Sequence, residues 1–403
     1  MPAKKEIVDG FAKLVKDYGW RSVELENLIM NLETKGKKAG SKEIIEKISK
    51  LEAELKALAD YFLKFEKSIV VKDLRVHESF FKDVSYEKFI EGLREYAKVV
   101  FEILESTKKA ISTALHRRKL VLQKLKELHK ENRHWLRIFR LITVKIKEME
   151  ELYDENGIRY MDDPHYPEKF RYFYSHDCRE ELIHYMGMVE STYCFLSKIF
   201  GEIKDKTYVY FLNEKDWTRP EMHIKVPYGI GRCEYYKWFK ENPFVKKIGK
   251  SRILFPKDFT IEKNPVGKQM LAILPILVCH EVTHLFLFEN DIWLPDNTKS
   301  EIICNLVAFR IGQARMRPVV EIVKESVQIS KKIFPGKDWN YFEKVFRDKP
   351  PQNAAEYKEF ASRYIFLQIM LWQGIVSYFE KNGFGDLMKD TEGILGEVKK
   401  IKW

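Results

Sequence analysis

Eight apolar side chains between Ser41 and Ile69 recur at alternating steps of four and three residues, without a break. On an α-helix this spacing forms one apolar stripe, the seam along which the helices of a coiled coil pack. A segment with such a seam has to fold against another helix. The eight residues are Ile44, Ile48, Leu51, Leu55, Leu58, Phe62, Phe65 and Ile69.

Two further apolar series flank this seam, one from Ile7 to Leu32 and one from Phe89 to Met149. The longer series predicts a helix that approaches about sixty residues, or about 90 Å at 1.5 Å per residue. We therefore expect residues 1–155 to form a coiled-coil-like arm of three or four long helices. The same seams offer a surface through which two copies of the chain could form a homodimer.

The positive charge of the chain is concentrated on this arm. Residues 106–147 contain thirteen Lys or Arg but only Glu127 and Glu131 as acidic residues, and this excess of eleven equals that of the whole chain, 71 minus 60. A basic helical rod could bind nucleic acid or another acidic partner by neutralising phosphates. The alternative is a solvated surface of the kind that thermophile proteins carry, since 33% of the residues are charged. That alternative predicts both signs of charge, whereas this segment carries mainly one.

A different kind of signal lies at His280-Glu281-Val282-Thr283-His284, between apolar stretches on both sides. Positions four apart share one face of a helix, so both imidazoles can reach a single metal ion. Glu281 beside them could then act as the general base for a water molecule activated by Zn²⁺. The alternative is a histidine pair that is satisfied by hydrogen bonds in the core.

A catalytic zinc site needs a third protein ligand. The metzincin pattern is excluded, because Leu287 and Asn290 stand where that class has glycine and histidine. Glu301, 17 residues after His284, begins a second apolar helix and is the best candidate. Its alternative role is that of an acidic residue near a helix N-terminus. Asp296 and Cys233 are the other candidate ligands.

With Glu301, the chain resembles the gluzincin metallopeptidases over roughly residues 205–310. In that family a glutamate on a downstream helix completes the zinc site, and an acid or amide four residues later orients a ligand histidine. Asn305 matches the latter position. The resemblance implies a zinc-dependent hydrolase of peptide bonds, with a peptide or protein as substrate. It also implies a small sheet whose edge strand pairs with the substrate peptide.

Three β-branched or aromatic runs, at 207–212, 222–226 and 251–255, predict the strands of that sheet. The resemblance further implies a downstream donor to the developing oxyanion, and no histidine follows His284. Tyr364, 63 residues after Glu301, is the candidate for this catalytic role. Because Tyr364 opens an apolar run, its alternative role is that of a core tyrosine.

The sequence thus predicts a mainly α protein with a small β-sheet, an α+β fold of two domains. The arm at 1–155 precedes a zinc peptidase domain at 156–403. Within the latter we expect a sheet at about 205–256, active-site helices at about 267–315 and a helical part at 318–403.

No segment is long enough for a membrane span. Five scattered cysteines without a pairing pattern favour a reduced cytoplasm. The second hypothesis for function is a nucleic-acid-binding or scaffold protein whose zinc site is structural or catalytically silent.

Overall fold

A computed structural model describes residues 152–403, except for positions 227, 229–230, 258–273, 293–296, 312–315, 345–353 and 384. Before residue 152 it describes residues 120 and 122–131 and a few isolated helical positions. The predicted seam at 44–69 and most of the basic segment at 106–147 therefore lie outside the described residues. Residues 122–131 are helical, and Leu125 and Leu128, two positions of the predicted apolar series, are buried there.

The chain divides into two compact units, residues 1–152 with 161–167 and residues 153–160 with 168–403. The described residues confirm the predicted fold class, since they are mainly helical with one mixed sheet of six strands. No helix among them is long and apolar enough to cross a membrane.

The sheet has the strand order β1-β2-β3-β4-β6-β5. Neighbouring pairs β3–β4 and β4–β6 are parallel, and β5 runs antiparallel to β6 at the edge of the sheet. The strands are β1 (Leu152–Tyr153), β2 (Arg159–Asp162), β3 (Phe170–Tyr174), β4 (Thr207–Leu212), β5 (Arg232–Glu234) and β6 (Arg252–Pro256).

Both faces of the central strands are buried, as is usual for parallel strands. On one face, Phe173, Tyr210 and Leu254 lie side by side across β3, β4 and β6. On the other face, Phe211 and Phe255 pair across β4 and β6, and the ring of Tyr185 stacks on Phe211 with 4.8 Å between ring centroids. The aromatic residues of the strands thus supply the core on both sides.

Two sequence predictions about the sheet were wrong. The sheet begins at residue 152 and not near 205, because three strands, β1, β2 and β3, precede β4 in the chain and belong to the same sheet. Residues 222–226 form no strand, since Pro220–Met222 is a 3-10 helix and His223 follows in the left-handed region at φ 47°. The predicted runs at 207–212 and 251–255 correspond to β4 and β6.

Helix α1 (Arg179–Phe200) connects the parallel strands β3 and β4, which cannot be joined by a short turn. The helices that follow are α2 (Glu214–Trp217), α3 (Pro243–Ile248), α4 (Leu274–Glu289), α5 (Asn297–Ile311), α6 (Met316–Ile333), α7 (Trp339–Glu343), α8 (Ala354–Asn382) and α9 (Leu387–Val398). Asparagine or aspartate side chains cap the N-termini of α2, α3, α7 and α9 by accepting hydrogen bonds from backbone N–H groups.

Helices α4 and α5 form the centre of the second unit. They pack against each other, and both also pack against α1. Helix α4 additionally contacts the edge strand β5, and α5 contacts α8 and α9. Because neighbours surround both helices, nearly all residues of α4 from Val278 onward and of α5 from Glu301 onward are buried. The polar residues in these buried stretches mark the candidate site.

A buried ion pair attaches the edge strand β5 to the sheet. Arg252 Nε donates to Glu234 Oε2 at 2.6 Å, and both side chains are at most 2% exposed. Arg252 Nη1 also donates to the carbonyl of Met222 at 2.7 Å, and its guanidinium lies 4.5 Å from the ring centroid of Phe244. The bond to Met222 helps to hold the segment that does not form the predicted strand.

Replacing Glu234 with alanine should lower the free energy of unfolding by about 3–5 kcal/mol, because Arg252 would be left as an unpaired buried charge. The exposed pair of Lys247 and Glu155 provides the control, since its side chains are 62% and 60% exposed. Glu155→Ala should cost less than about 1 kcal/mol. Urea and thermal unfolding of both variants test this, and similar losses for the two would contradict it.

Candidate metal centre

His280 and His284 lie on one face of α4, with their Nε2 atoms 3.0 Å apart. Both belong to the well-packed part of the helix, and His280 is only 2% exposed. The spacing of four residues brings the two rings together, as the sequence predicted. Two imidazole nitrogens at this distance need either a shared proton or a shared cation.

Glu301 reaches the same point from α5. Its Oε2 atom lies 3.3 Å from His280 Nε2, and its Oε1 atom lies 3.5 Å from His284 Nε2. Ligand atoms bound at about 2.0–2.2 Å to a tetrahedral ion are about 3.3–3.6 Å apart. The two contacts use different oxygens of the carboxylate, and each is close to the separation of two ligand atoms on one four-coordinate ion.

The charges of this group agree with its geometry. Burial raises the pKa of Glu301, but the charges and hydrogen bonds of His280 and His284 outweigh it and hold that pKa well below its usual range. Burial lowers the pKa of His280, but Glu301, Glu281 and Asn305 together outweigh it and raise that pKa overall. An ionised carboxylate among buried imidazoles favours positive charge at this position.

Cys304 lies one turn beyond Glu301 on α5 and is fully buried. Its Sγ atom and one ring nitrogen of each histidine lie within 4.8 Å of one another, so His280, His284 and Cys304 also form a group that could hold a metal ion. Burial and the nearby charges of Glu301 and Glu281 raise the pKa of this thiol well above its usual value. Without a metal ion the thiol is therefore protonated, and Glu301 is the group that carries negative charge.

Of the other two candidate ligands from the sequence, only Cys233 lies in the described part of the chain, and it is not part of this arrangement. Asp296 lies outside the described residues. Cys233 is buried on β5, and burial together with the charge of Glu281 raises the pKa of its thiol. Among the described residues, the metal-binding group around the two histidines includes Cys304 and not Cys233.

Glu281 follows His280 on α4 and is 9% exposed. Gly231, which immediately precedes β5, faces this side chain. A Cβ atom at Gly231 would lie 3.3 Å from Glu281 Cγ and 3.6 Å from Glu281 Oε1. The absence of a side chain at Gly231 thus allows the edge strand to come close to the carboxylate of Glu281.

Helix α8 supplies three polar side chains behind the ligands, at 364, 368 and 372. Tyr364 donates its hydroxyl to Glu301 Oε2 at 3.1 Å, and Gln368 Nε2 donates to the same oxygen at 2.8 Å. Trp372 Nε1 donates to Asn305 Oδ1 at 2.9 Å, and Asn305 Oδ1 lies 3.1 Å from His280 Nδ1. Asn305 therefore contacts His280, as the resemblance to gluzincins implied.

Sequence reasoning missed Gln368 and Trp372 because the run 364–376 was interpreted as a buried core helix. A signal was present, since Tyr364, Gln368 and Trp372 are spaced by four residues and share one helix face. The amide of Gln368 inside an apolar run needs a partner in the interior. That partner is Glu301.

An aromatic surface borders the site on the side of His284. The rings of His284 and Phe288 are stacked with 5.6 Å between their centroids, and the ring of Trp238 lies 4.4 Å from that of Phe288. Trp238 is 43% exposed. These aromatic rings connect a ligand histidine to the surface of the protein.

Comparisons with known proteins do not assign this chain to a family. No family model, curated protein or solved structure matches it. The resemblance to gluzincins rests on the residues of the motif alone.

Replacing Glu301 with glutamine should weaken the binding of Zn²⁺, used here as the probe ion, by at least about 100-fold, because the site loses its one ionised oxygen ligand. Cys304→Ser, one turn away on the same helix, is the matched control and should change the affinity less than about threefold. Isothermal titration against a competing chelator measures both constants. A larger loss for Cys304→Ser than for Glu301→Gln would identify the thiol as the third ligand.

Proposed function

We propose that the chain is a zinc metallopeptidase of the gluzincin type, which hydrolyses peptide bonds. The observation that carries the proposal is the convergence of His280, His284 and Glu301, whose nearest ligand atoms are 3.0–3.5 Å apart. Two imidazoles and one carboxylate form a donor set typical of catalytic zinc, and three protein ligands leave a fourth position for water or substrate. Glu281 beside them supplies a base.

In this proposal His280, His284 and Glu301 would hold Zn²⁺, and the bound ion would supply a Lewis acid that makes water more acidic and a carbonyl group more polar. Glu281 accepts a proton from the attacking water as the new C–O bond forms. The same carboxyl group then delivers that proton to the leaving amine as the C–N bond breaks. Its position next to His280 on α4 supports this role.

The edge strand β5 supports a peptide as the substrate. It is the last strand of the sheet, it contacts α4, and Gly231 at its start lies against Glu281. An edge strand offers backbone N–H and C=O groups to which an extended peptide can add as a further strand. A peptide bound in this way would have its backbone beside the proposed base.

Tyr364 is the proposed donor to the developing oxyanion. Burial, together with the negative charges of Glu301 and Glu281, raises the pKa of its hydroxyl well above the usual value, so the group remains a donor. Its hydroxyl is bound to Glu301 Oε2 at 3.1 Å, at the metal centre. To act on a substrate, the hydroxyl has to exchange this bond for one to the carbonyl oxygen.

The cellular compartment that we propose for the enzyme is a reducing cytoplasm. All five cysteines lie in the described part of the chain, and they form no disulfide. This supports a compartment in which thiols stay reduced.

The alternative function is a nucleic-acid-binding or scaffold protein whose zinc site is silent. The excess of eleven positive charges in residues 106–147 favours it. A chain that binds Zn²⁺ but cleaves no member of a broad peptide library would match this alternative. Its binding to DNA or RNA should then weaken steeply with salt.

Replacing Glu281 with alanine or glutamine should lower kcat by about 10²- to 10⁴-fold while zinc content stays at the wild-type level, because the base is lost and the ligands remain. Glu289→Gln, on the same helix and 4% exposed, is the control for loss of a buried acid. Cleavage of a quenched peptide library and metal analysis of the same samples give the two readouts. Undiminished cleavage by both Glu281 variants would rule out the proposed mechanism.

Tyr364→Phe should lower kcat by about 10²- to 10³-fold with little change in KM, if the hydroxyl stabilises the oxyanion. The substitution removes the hydroxyl and preserves the ring, which stacks with Phe360 at 6.2 Å between centroids. Steady-state kinetics on one cleaved peptide separate kcat from KM. An unchanged kcat would mean that Tyr364 is a hydrogen-bond partner of Glu301 and does not stabilise the oxyanion.

A further inference from the structure

A hydrogen-bond network from α8 reaches both the first histidine and the glutamate of the metal centre. It begins at Trp372, which is fully buried and donates its indole N–H to Asn305 Oδ1 at 2.9 Å. An indole nitrogen can only donate a hydrogen bond. Trp372 therefore determines that the side chain of Asn305 turns its oxygen, and not its NH₂ group, toward this point.

The orientation of Asn305 decides the tautomer of His280. Asn305 Oδ1 also lies 3.1 Å from His280 Nδ1, and an amide oxygen can only accept a hydrogen bond. His280 must therefore carry its proton on Nδ1. In the neutral ring its Nε2 atom then carries the lone pair, and this is the atom that lies 3.0 Å from His284 Nε2 and 3.3 Å from Glu301 Oε2.

The same orientation decides how Gln368 meets Glu301. Asn305 Nδ2 donates to Gln368 Oε1 at 2.7 Å, so the other end of the Gln368 amide must be its NH₂ group. That group donates to Glu301 Oε2 at 2.8 Å. If the oxygen and the NH₂ group of the Asn305 amide exchanged places, the NH₂ group would face the indole N–H. The hydrogen bonds to His280 and to Gln368 would then both be lost.

We propose that Trp372 and Gln368 are positioning residues, which prepare the metal centre before an ion binds. Trp372, acting through Asn305, holds His280 in the tautomer with the proton on Nδ1, and Gln368 holds the carboxylate of Glu301 in place. The proposal deepens the proposed function in one respect, since it takes His280 and Glu301 as metal ligands. The tautomer itself is a property of the metal-free chain.

The first experiment compares Trp372→Phe with wild type by nitrogen NMR of the full-length, metal-free chain labelled with ¹⁵N in its histidines. His280→Gln assigns the signal of His280. At a pH at which the His280 ring is neutral, wild type should show protonated Nδ1 and unprotonated Nε2 at His280, and Trp372→Phe should show a mixture or the opposite tautomer. The control is Trp339→Phe, because Trp339 is 2% exposed and its buried Nε1 has no hydrogen-bond partner in the described structure.

The same variants should differ in affinity for Zn²⁺ alone. Trp372→Phe and Gln368→Met should each weaken it by about 10- to 100-fold, the usual effect of removing a partner of a metal ligand. Trp339→Phe should leave it unchanged. In Gln368→Met the His280 tautomer should persist, because Trp372 still orients Asn305.

A third pair of variants tests the network independently of Trp372, should Trp372→Phe fail to fold. Asn305→Asp keeps an acceptor for both Trp372 and His280 and should preserve the Nδ1 proton, whereas Asn305→Leu should lose it. Wild-type tautomer and zinc affinity in Asn305→Leu, or in a folded Trp372→Phe, would overturn the proposal. A wild-type chain that shows the expected tautomer but cleaves no peptide would refute the proposed function and leave this inference standing.

Discussion

The contact on which the site depends is that of the Glu301 carboxylate with two imidazoles in the interior of the second unit. An isolated charge at such a position would cost several kcal/mol in lost hydration. Here Gln368 and Tyr364 donate to one oxygen of the carboxylate. The Nε2 atom of His280 faces that oxygen, and the Nε2 atom of His284 faces the other one. The arrangement satisfies the carboxylate but brings two imidazole Nε2 atoms within 3.0 Å, which a cation between them would stabilise.

The rest of the second unit holds this contact in place. Helices α4 and α5 carry His280, His284 and Glu301 on buried surfaces, and α8 packs against α5 with side chains that donate hydrogen bonds to Glu301 and Asn305. The sheet contributes from the other direction, since the Arg252–Glu234 pair secures β5, whose beginning lies against Glu281. Rigid elements on several sides are what a catalytic group needs to keep its geometry.

The sequence predicted those parts of the site that depend on helical spacing. His280 and His284 had to share a face of one helix, and Glu301 with Asn305 had to share a face of the next, so their meeting required only that the two helices pack. Gln368 and Trp372 could not be predicted in the same way. Their roles depend on which face of α8 packs against α5. The apolar periodicity of α8 alone does not predict this tertiary contact.

In the sheet, too, the sequence predicted some strands correctly and others wrongly. The aromatic run at 207–212 predicted a central strand because its composition suits burial on both faces. The run at 222–226 contains Ile and Val but no Phe, Tyr or Trp, and it forms no strand, since Arg252 and Asn242 bind the carbonyl of left-handed His223. Long-range hydrogen bonds of this kind override local propensity.

The coordination shell of the zinc-loaded chain tests the central claim most directly. X-ray absorption at the zinc edge distinguishes nitrogen and oxygen ligands at about 2.0–2.2 Å from sulfur at about 2.3 Å. We expect two imidazoles, one carboxylate oxygen and one further light-atom ligand, with the signal unchanged in Cys304→Ser. A sulfur ligand that disappears in Cys304→Ser would mean that Cys304 takes part in coordination, and it would contradict an open catalytic site.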